Sequence, residues 1–373
     1  MSSSRQSLQQ HKRWIVKVGS ALLTDDGKGL CKNVIESLAK QIAFLRDQNI
    51  DVILVSSGSV AAGVSQLGMP SRPSNVNELQ AAAAVGQASL VRHYENAFRP
   101  FDISIAQVLL THADIANRER YLNAKSALTK LIELDILSVV NENDTVATDE
   151  ICFGDNDNLA ALVTNLVDAD LLVILTDQDG LYTADPRSNP DAKLLSEVEA
   201  NDSSLAEMAS GGSSVGRGGM ITKLIAAKTA SLSGTSTVIA CGRETDILQK
   251  LYQGENLGKL LTANKHLACK KQWMAGQMKV AGAVVIDDGA EKVLKQSGRS
   301  LLTVGVTKTS GEFQRGQLIS CVNSNGDEVA RGLSNYNFEE ANKILGKSSK
   351  DIFEILGYGG DSELIHRDNL VLV

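Results

Sequence analysis

Residues 51–59 have the sequence DVILVSSGS, a short apolar run that ends in a glycine turn. Such a near-continuous run is typical of a strand that is buried on both faces of a parallel sheet. LLVIL at 171–175 has the same character, and WIVKV at 14–18 also has the length and composition of a strand. Helix-like stretches separate these runs. The alternation predicts an α/β fold, with a mostly parallel sheet and helices on both faces.

The same alternation predicts further strands at 103–109, 136–140 and 237–240, and helices at 34–45, 79–98, 117–134, 159–167 and 220–232. Near residue 263 the alternation stops. We expect a disordered lead-in at 1–12, an α/β domain at 13–262, a linker at 263–278 and a small β-rich domain at 279–373. Within the last, Asn325-Gly326 between β-prone runs predicts a hairpin.

Composition excludes several classes of protein. The 373 residues carry a formal charge of −7, which disfavours general binding to nucleic acid. The five cysteines form no CxxC pair, so neither a disulfide framework nor a structural zinc site is expected, and a reducing compartment fits best. The N-terminus has no apolar signal region, and no apolar run reaches the roughly 18 residues of a membrane span. We therefore expect a cytoplasmic protein.

Three glycine-containing turns are candidates for binding an anion. Residues 17–20 (KVGS) and 56–59 (SSGS) follow predicted strands, and 211–219 (GGSSVGRGG) runs into the helix that contains Lys223. Glycines let successive backbone N–H groups approach a ligand, and a helix start adds its dipole. Each turn alone is more typical of an ordinary loop, and a lysine at a strand end is usually solvated. Together, with Lys17 and Lys223 beside them, they favour a phosphate site. Neither a P-loop nor a GxGxxG fingerprint is present.

Two acidic-amide clusters, NEND at 141–144 and GDNDN at 154–158, are candidates for a second site. The spacing of an EF-hand calcium loop is absent, because Ala160 and Leu166 stand where Gly and Glu are required. Helix capping by Asp157 or Asn158 remains an alternative. Carboxylates and amides together suit a small zwitterion. The five histidines form no spaced pair and no nucleophile elbow is present, so metal sites based on histidine and hydrolase triads are disfavoured.

These residues carry a family resemblance. WIVKVGSALLT (14–24), VILVSSGSVAAG (52–63), NENDTVA (141–147), FGDNDNLAALV (153–163), LVILTDQDGLYTADPR (172–187) and GRGGMITKLIAA (216–227) occur in this order. Together they closely resemble the amino acid kinase family, over residues 13–262, and within it the enzymes that act on glutamate. The tail, with GRSLLTVGV, GEFQRGQLISCV and EVARGLSNY, resembles a PUA domain.

The resemblance implies an αβα sandwich and ATP-dependent phosphorylation of the side-chain carboxylate of L-glutamate. The product, glutamyl 5-phosphate, would enter proline biosynthesis. It further implies Mg²⁺ with ATP, feedback inhibition by proline, a homo-oligomer and a downstream reductase as partner. A carboxylate is already ionised at pH 7 and needs no general base. Catalysis would then consist of positioning and charge neutralisation, with Lys17 and Lys223 on two sides of the transferred group.

Roles carried over from the family fall on matching positions. Asp157 would orient the two lysines, so that the expected catalytic set is Lys17, Lys223 and Asp157. The expected substrate-binding residues are Ser57, Gly58, Asp144 and Asn156. The expected ATP-binding residues are Lys17, Gly19, Thr176, Asp177, Arg217, Gly218, Gly219, Met220 and Lys223. The chain has Cys152 where the family often has a basic residue, which puts substrate affinity or feedback in question.

Two alternatives remain at this point. One is a family member acting on a different anion, such as an acetylglutamate, aspartate or nucleoside monophosphate kinase. The other is RNA binding by the C-terminal domain, because PUA domains elsewhere bind RNA. Residues 279–373 carry 11 basic and 13 acidic side chains, so this region lacks the basic surplus of an RNA-binding surface.

Overall fold

The structure is a computed structural model that describes residues 5–24, 29–116, 118–146, 156–177, 197–200, 202, 205, 219–231, 233–263, 280–358 and 360–372. It contains two compact units. The first comprises Met1–Ala116 and Asn123–Lys265, and the second comprises Asn117–Leu122 and His266–Val373.

The first unit is built on one mainly parallel sheet. Its described strands are β1 (Arg13–Val18), β2 (Asp51–Ser56), β3 (Ile105–Leu110), β4 (Leu137–Glu142), β5 (Leu171–Thr176), β6 (Glu197–Glu199), β7 (Ser236–Cys241) and β8 (Lys259–Thr262). They lie in the order β3-β4-β2-β1-β5-β7-β8-β6. Of these neighbouring pairs only β7 with β8 is antiparallel. The predicted parallel sheet is confirmed, whereas β6 and β8 were not predicted.

Helices cover the centre of the sheet. Those described between residues 20 and 252 are α1 (Ser20–Leu23), α2 (Lys32–Asp47), α3 (Ser59–Gln66), α4 (Val76–Phe98), α5 (His112–Ala116), α6 (Arg118–Glu133), α7 (Asn156–Leu166), α8 (Met220–Ser231) and α9 (Ile247–Tyr252). Every residue of β4 and β5 is buried, so both faces of these strands are covered, as the apolar run LLVIL predicts for β5. The predicted helices are confirmed, and α1, α3, α5 and α9 are additional.

The central strands end at one edge of the sheet. In register, Val18 at the end of β1 pairs with Ser56 of β2 and Leu175 of β5, and Val55 pairs with Val140 of β4. Because these pairs are parallel, the segments that follow β1, β2, β4 and β5 leave from the same side. Ligands of open α/β sheets bind at this carboxyl edge.

Helices α3 and α4 pack with their backbones in direct contact. A Cβ added to Gly63 would stand 1.7 Å from the carbonyl oxygen of Ala82, and one added to Gly86 would stand 1.8 Å from that of Ser59. Only glycine allows this approach at either position. The contact holds the start of α3, directly after β2, against the middle of α4.

The N-terminal segment departs from the expectation of a disordered lead-in. Gln6–Gln10 forms a 3₁₀ helix, and Leu8 is buried in the core of the first unit. The Arg5 guanidinium donates hydrogen bonds to the backbone oxygens of Leu257 (2.7 Å) and Gly258 (2.9 Å). Residues 5–12 are therefore ordered. The composition of this stretch is mostly polar, but Leu8 and Arg5 anchor it to the first unit.

The second unit has its own sheet and core. Its described strands are β9 (Gly282–Ile286), β10 (Val306–Gly311), β11 (Leu318–Val322), β12 (Glu328–Leu333) and β13 (Leu370–Leu372), in the order β10-β9-β11-β12-β13. Only β9 with β11 is parallel. Helices α10 (Asp288–Ser297), α11 (Phe338–Ile344) and α12 (Ile352–Leu356) accompany it. The predicted β-rich domain is confirmed.

The hairpin predicted at Asn325-Gly326 joins β11 and β12. Gly326 has a φ of +88°, which an L-residue rarely adopts. The Asn323 side chain accepts hydrogen bonds from the backbone N–H groups of Asn325 (3.0 Å) and Asp327 (2.9 Å). The turn is thus closed by side chain as well as backbone.

No helix in the described part of the chain is long and apolar enough to cross a membrane.

Candidate active site

A buried carboxylate joins two lysines at the carboxyl edge of the sheet. Asp157 Oδ1 lies 2.6 Å from Lys17 Nζ, and its Oδ2 lies 3.1 Å from Lys223 Nζ. The three residues are 2%, 5% and 5% exposed, respectively. Thr222 Oγ1 donates a further hydrogen bond of 2.9 Å to Asp157 Oδ2. The structure therefore brings together all three residues of the expected catalytic set.

Each member of this triad comes from a different element. Lys17 is the last residue but one of β1, Asp157 lies in the first turn of α7, and Lys223 lies in the first turn of α8. A carboxylate in the first turn of a helix is favoured by the helix dipole. Asp157 and Asn158 both lie inside α7, so the alternative that either caps this helix is wrong.

The triad carries a net charge of +1 in a buried place. Burial by itself would raise the pKa of Asp157, but the charges of Lys17 and Lys223 and their hydrogen bonds lower it below its usual range. The carboxylate is therefore ionised at neutral pH and holds both ammonium groups in place. The surplus positive charge favours an anionic ligand beside it.

Two of the three glycine turns that are expected to bind an anion follow β1 and β2. The third, at 211–219, lies outside the described residues except for Gly219. Gly19 starts the turn into α1, and a Cβ at this position would stand 3.7 Å from Lys17 Nζ. Gly58 has a φ of +107° and precedes the first residue of α3. Its left-handed conformation lets β2 turn directly into the N-terminus of a helix.

An amide cluster adjoins the triad in sequence and in space. Asn156 Nδ2 lies 2.9 Å from Ser57 Oγ, 2.9 Å from Asn141 Oδ1 and 3.3 Å from the backbone oxygen of Ser56. These contacts place two of the expected substrate-binding residues, Ser57 and Asn156, side by side at the ends of β2 and α7.

Asp144 is the acidic residue of the expected substrate set. It follows β4, and its side chain contacts the first residue of α3. Its Oδ2 accepts a 2.9 Å hydrogen bond from Ser59 Oγ. Burial raises the pKa of Asp144, and the hydrogen bond from Ser59 and the charge of Arg72 act in the opposite direction. Ser57, Gly58 and Ser59 thus connect Asp144 to Asn156 through consecutive residues of one turn.

The expected nucleotide positions after β5 lie at the same edge. Thr176 is the last residue of β5, and its hydroxyl donates to Asp177 Oδ1 at 3.2 Å. The backbone oxygen of Thr176 accepts from the Gly242 N–H at 2.8 Å. Gly219, whose backbone oxygen lies 2.8 Å from Thr222 Oγ1, and Met220 lead into α8. Arg217, Gly218 and Cys152 lie outside the described residues, as do positions 264–278 of the expected linker.

Several polar residues of this region were not predicted. Asn141 stood in a cluster that the sequence marked, and Thr222 adjoins Lys223, so both carried some signal. Gln87 carried none, because it lies in the middle of an alanine-rich helix. Its side chain accepts a 2.7 Å hydrogen bond from Asn141 Nδ2.

The donor set does not form a cage for a metal ion. Among the described residues no group of three or more His, Cys, Asp or Glu could hold one. Asp157 already directs Oδ1 at one ammonium group and Oδ2 at another. A divalent ion at this site would accordingly depend on ligands from a nucleotide and water, which suits Mg²⁺.

Comparison with known proteins gives two family matches. Residues 12–241 match the amino acid kinase family, and residues 282–356 match the PUA domain. The glutamate 5-kinase of Chromohalobacter salexigens is 54% identical over 373 residues, covering 100% of this chain and 99% of that protein. The glutamate 5-kinase of Hydrogenovibrio crunogenus is 54% identical over 98% of this chain and 97% of its own length. The structure of UMP kinase from Bacillus anthracis is 15% identical with a TM-score of 0.47, over 68% of this chain and 97% of that one.

Proposed function

This chain belongs to the amino acid kinase family, and from that premise we propose that it transfers the γ-phosphoryl group of ATP to the side-chain carboxylate of L-glutamate. The observation that carries the proposal is the buried Lys17–Asp157–Lys223 triad beside an amide cluster at the carboxyl edge of the sheet. The triad suits a polyanionic phosphate, and the cluster suits a zwitterion.

The reaction needs neutralisation of charge more than proton transfer. A bond forms between a side-chain oxygen of glutamate and the γ-phosphorus, the bond from that phosphorus to the β–γ bridging oxygen breaks, and ADP leaves with the electron pair. The attacking carboxylate is ionised at pH 7, so no base has to remove a proton. Repulsion between this anion and the triphosphate is the main obstacle.

We assign the neutralisation to Lys17 and Lys223. The Nζ atom of each lysine contacts a different oxygen of the Asp157 carboxylate. This arrangement supports a fixed spacing between the two ammonium groups. Preorganised cations in a site from which water is excluded stabilise developing charge without having to reorganise during the reaction. Asp157 positions both. Backbone N–H groups near Gly19, Gly58 and Gly218-Gly219 would add donors.

The remaining site roles follow the family resemblance. Thr176 and Asp177, together with the segment 217–223, would contact the nucleotide, and Ser57, Gly58, Asp144 and Asn156 would bind glutamate. Mg²⁺ bound to ATP would supply further charge neutralisation at the phosphates. The domain limits would be 13–262 for the kinase and 279–373 for the PUA-like domain. Feedback by proline, a homo-oligomer, a downstream reductase and a cytoplasmic location complete the proposal.

One experiment tests the proposal directly. Purified full-length protein is incubated with ATP and Mg²⁺, with and without L-glutamate, and the acyl phosphate is trapped with hydroxylamine. ADP release and hydroxamate formation that both require L-glutamate are the expected result. Aspartate, acetylglutamate and UMP serve as competing acceptors, and turnover with UMP alone would overturn the assignment. Adding proline to the same assay tests feedback.

A further inference from the structure

Three side-chain amides form one buried chain that runs from α4 to the candidate substrate site. Asn141 Nδ2 donates to Gln87 Oε1 at 2.7 Å, and Asn156 Nδ2 donates to Asn141 Oδ1 at 2.9 Å. The side chains are 9%, 1% and 8% exposed for Gln87, Asn141 and Asn156, respectively. Gln87 therefore reaches the site through Asn141, although it lies 69 residues from Asn156 in sequence.

A backbone group decides which way each amide faces. The N–H of Glu142 donates to Asn141 Oδ1 at 2.9 Å, and a backbone N–H can only donate. Asn141 must therefore present Oδ1 on that side and Nδ2 toward Gln87. Asn156, which faces the same oxygen, must present its Nδ2. The oxygen and nitrogen of each amide are thereby assigned by the network.

This orientation leaves a defined set of groups for a ligand. Asn156 Nδ2 carries two hydrogens and has three acceptors around it, so its donor capacity is filled. Asn156 Oδ1, by contrast, is buried and has no hydrogen-bond partner in the described part of the chain. Ser57 Oγ accepts from Asn156, so its own hydroxyl proton is available to point elsewhere. The site thus offers an acceptor beside a donor, the complement of an ammonium group beside a carboxylate.

We propose that Gln87 is a positioning residue for recognition of the substrate's α-amino group. Through Asn141 it holds Asn156 with Oδ1 toward the ammonium. The inference deepens the proposed function and rests on it. Gly86 supports the arrangement, because its contact with the Ser59 backbone oxygen holds α4 against the turn that carries Ser57.

The test uses Gln87→Met, which keeps the length of the side chain and removes the acceptor for Asn141. Gln87→Glu retains an acceptor at the same place. Gln41→Met is the matched control. Gln41, on α2, is also buried, and its Oε1 accepts a hydrogen bond from the backbone N–H of Leu248. This hydrogen bond does not involve the three amides. Each variant is made in the full chain and characterised by steady-state kinetics and thermal unfolding.

Gln87→Met is expected to raise KM for L-glutamate at least tenfold, with kcat within threefold and KM for ATP within twofold of the parent. Glutarate, which lacks the amino group, serves as a competitive inhibitor, and its Ki should stay within twofold. Gln87→Glu should recover most of the loss, and Gln41→Met should change only the unfolding midpoint. An unchanged KM for glutamate in Gln87→Met, or a parallel rise in the Ki of glutarate, would overturn the inference. Failure of the parent to phosphorylate L-glutamate would instead refute the proposed function.

Discussion

Replacing Asp157 by asparagine removes one negative charge from the triad and keeps the size of the side chain. In the parent protein this carboxylate lies 2.6 Å from Lys17 Nζ and 3.1 Å from Lys223 Nζ. At an effective dielectric constant of about 20, each pair contributes roughly 5–6 kcal/mol of gross attraction. Most of this offsets the desolvation of three buried groups. Removing one member of a buried ion pair nevertheless costs about 3–5 kcal/mol, because the remaining charges stay buried without compensation.

Two effects should follow in Asp157→Asn. The free energy of unfolding of the ligand-free protein should fall by about 3 kcal/mol or more. Turnover should fall by about a hundredfold or more, because the two ammonium groups repel each other and lose their spacing. A polyanion should restore part of the stability, so ATP or pyrophosphate should raise the unfolding midpoint of this variant more than that of the parent.

The assays are denaturant and thermal unfolding with and without nucleotide, beside steady-state kinetics. Asp51→Asn is the matched control, since Asp51 pairs with Arg13 at 3.0 Å in a partly exposed setting at the opposite edge of the sheet. It should cost less than about 1 kcal/mol and leave turnover unchanged. Turnover of Asp157→Asn within threefold of the parent would refute the positioning role. A variant as stable as the parent would refute the electrostatic reasoning.

Three further outcomes are expected. Lys17→Ala and Lys223→Ala should each lower kcat by about a hundredfold or more, equivalent to about 3 kcal/mol; steady-state kinetics that match the parent would remove that lysine from the mechanism. Gly86→Ala should cost more than about 3 kcal/mol in urea unfolding, since the new Cβ would stand 1.8 Å from the Ser59 backbone oxygen; equal unfolding midpoints would contradict this. Burial, and then the charge of Arg5, lowers the pKa of Lys259 to about 8 from 10.5. The unfolded chain therefore binds more protons between these pH values, so stability rises as pH increases through that window, by at most about 3 kcal/mol. Lys259→Met should be more stable than the parent at pH 7.5 and lose that advantage by pH 10; a constant difference across this range would refute the assignment.

Local pattern was sufficient for much of the scaffold. The runs at 14–18, 51–55 and 171–175 are strands β1, β2 and β5, because strands buried on both faces need near-continuous apolar residues. The Asn-Gly hairpin likewise follows from backbone conformations that glycine favours. For the site, Lys17 and Lys223 were marked by their neighbouring glycine turns.

Other features depended on long-range contacts. Examples are the antiparallel strand β8, the hydrogen bonds from Arg5 to carbonyls near residue 258, and the burial of Lys259. In each case the contact partners cannot be identified from a local sequence pattern. Local periodicity reports which face of an element is buried, but it carries no information on which distant element covers that face.

For the candidate site, the residue types were evident from local sequence: two lysines beside glycine turns, and carboxylates with amides in two short clusters. The family resemblance implied that Asp157 orients both lysines, and the structure adds the distances of these contacts. The three-dimensional structure was needed to show that Asp157 lies inside α7 rather than capping it and that Gln87 belongs to the site. The reason is the distance along the chain over which each kind of interaction acts. Turn and strand propensities act over a few residues, whereas ion pairs and amide networks depend on distances of about 3 Å between atoms that are tens to hundreds of residues apart along the chain.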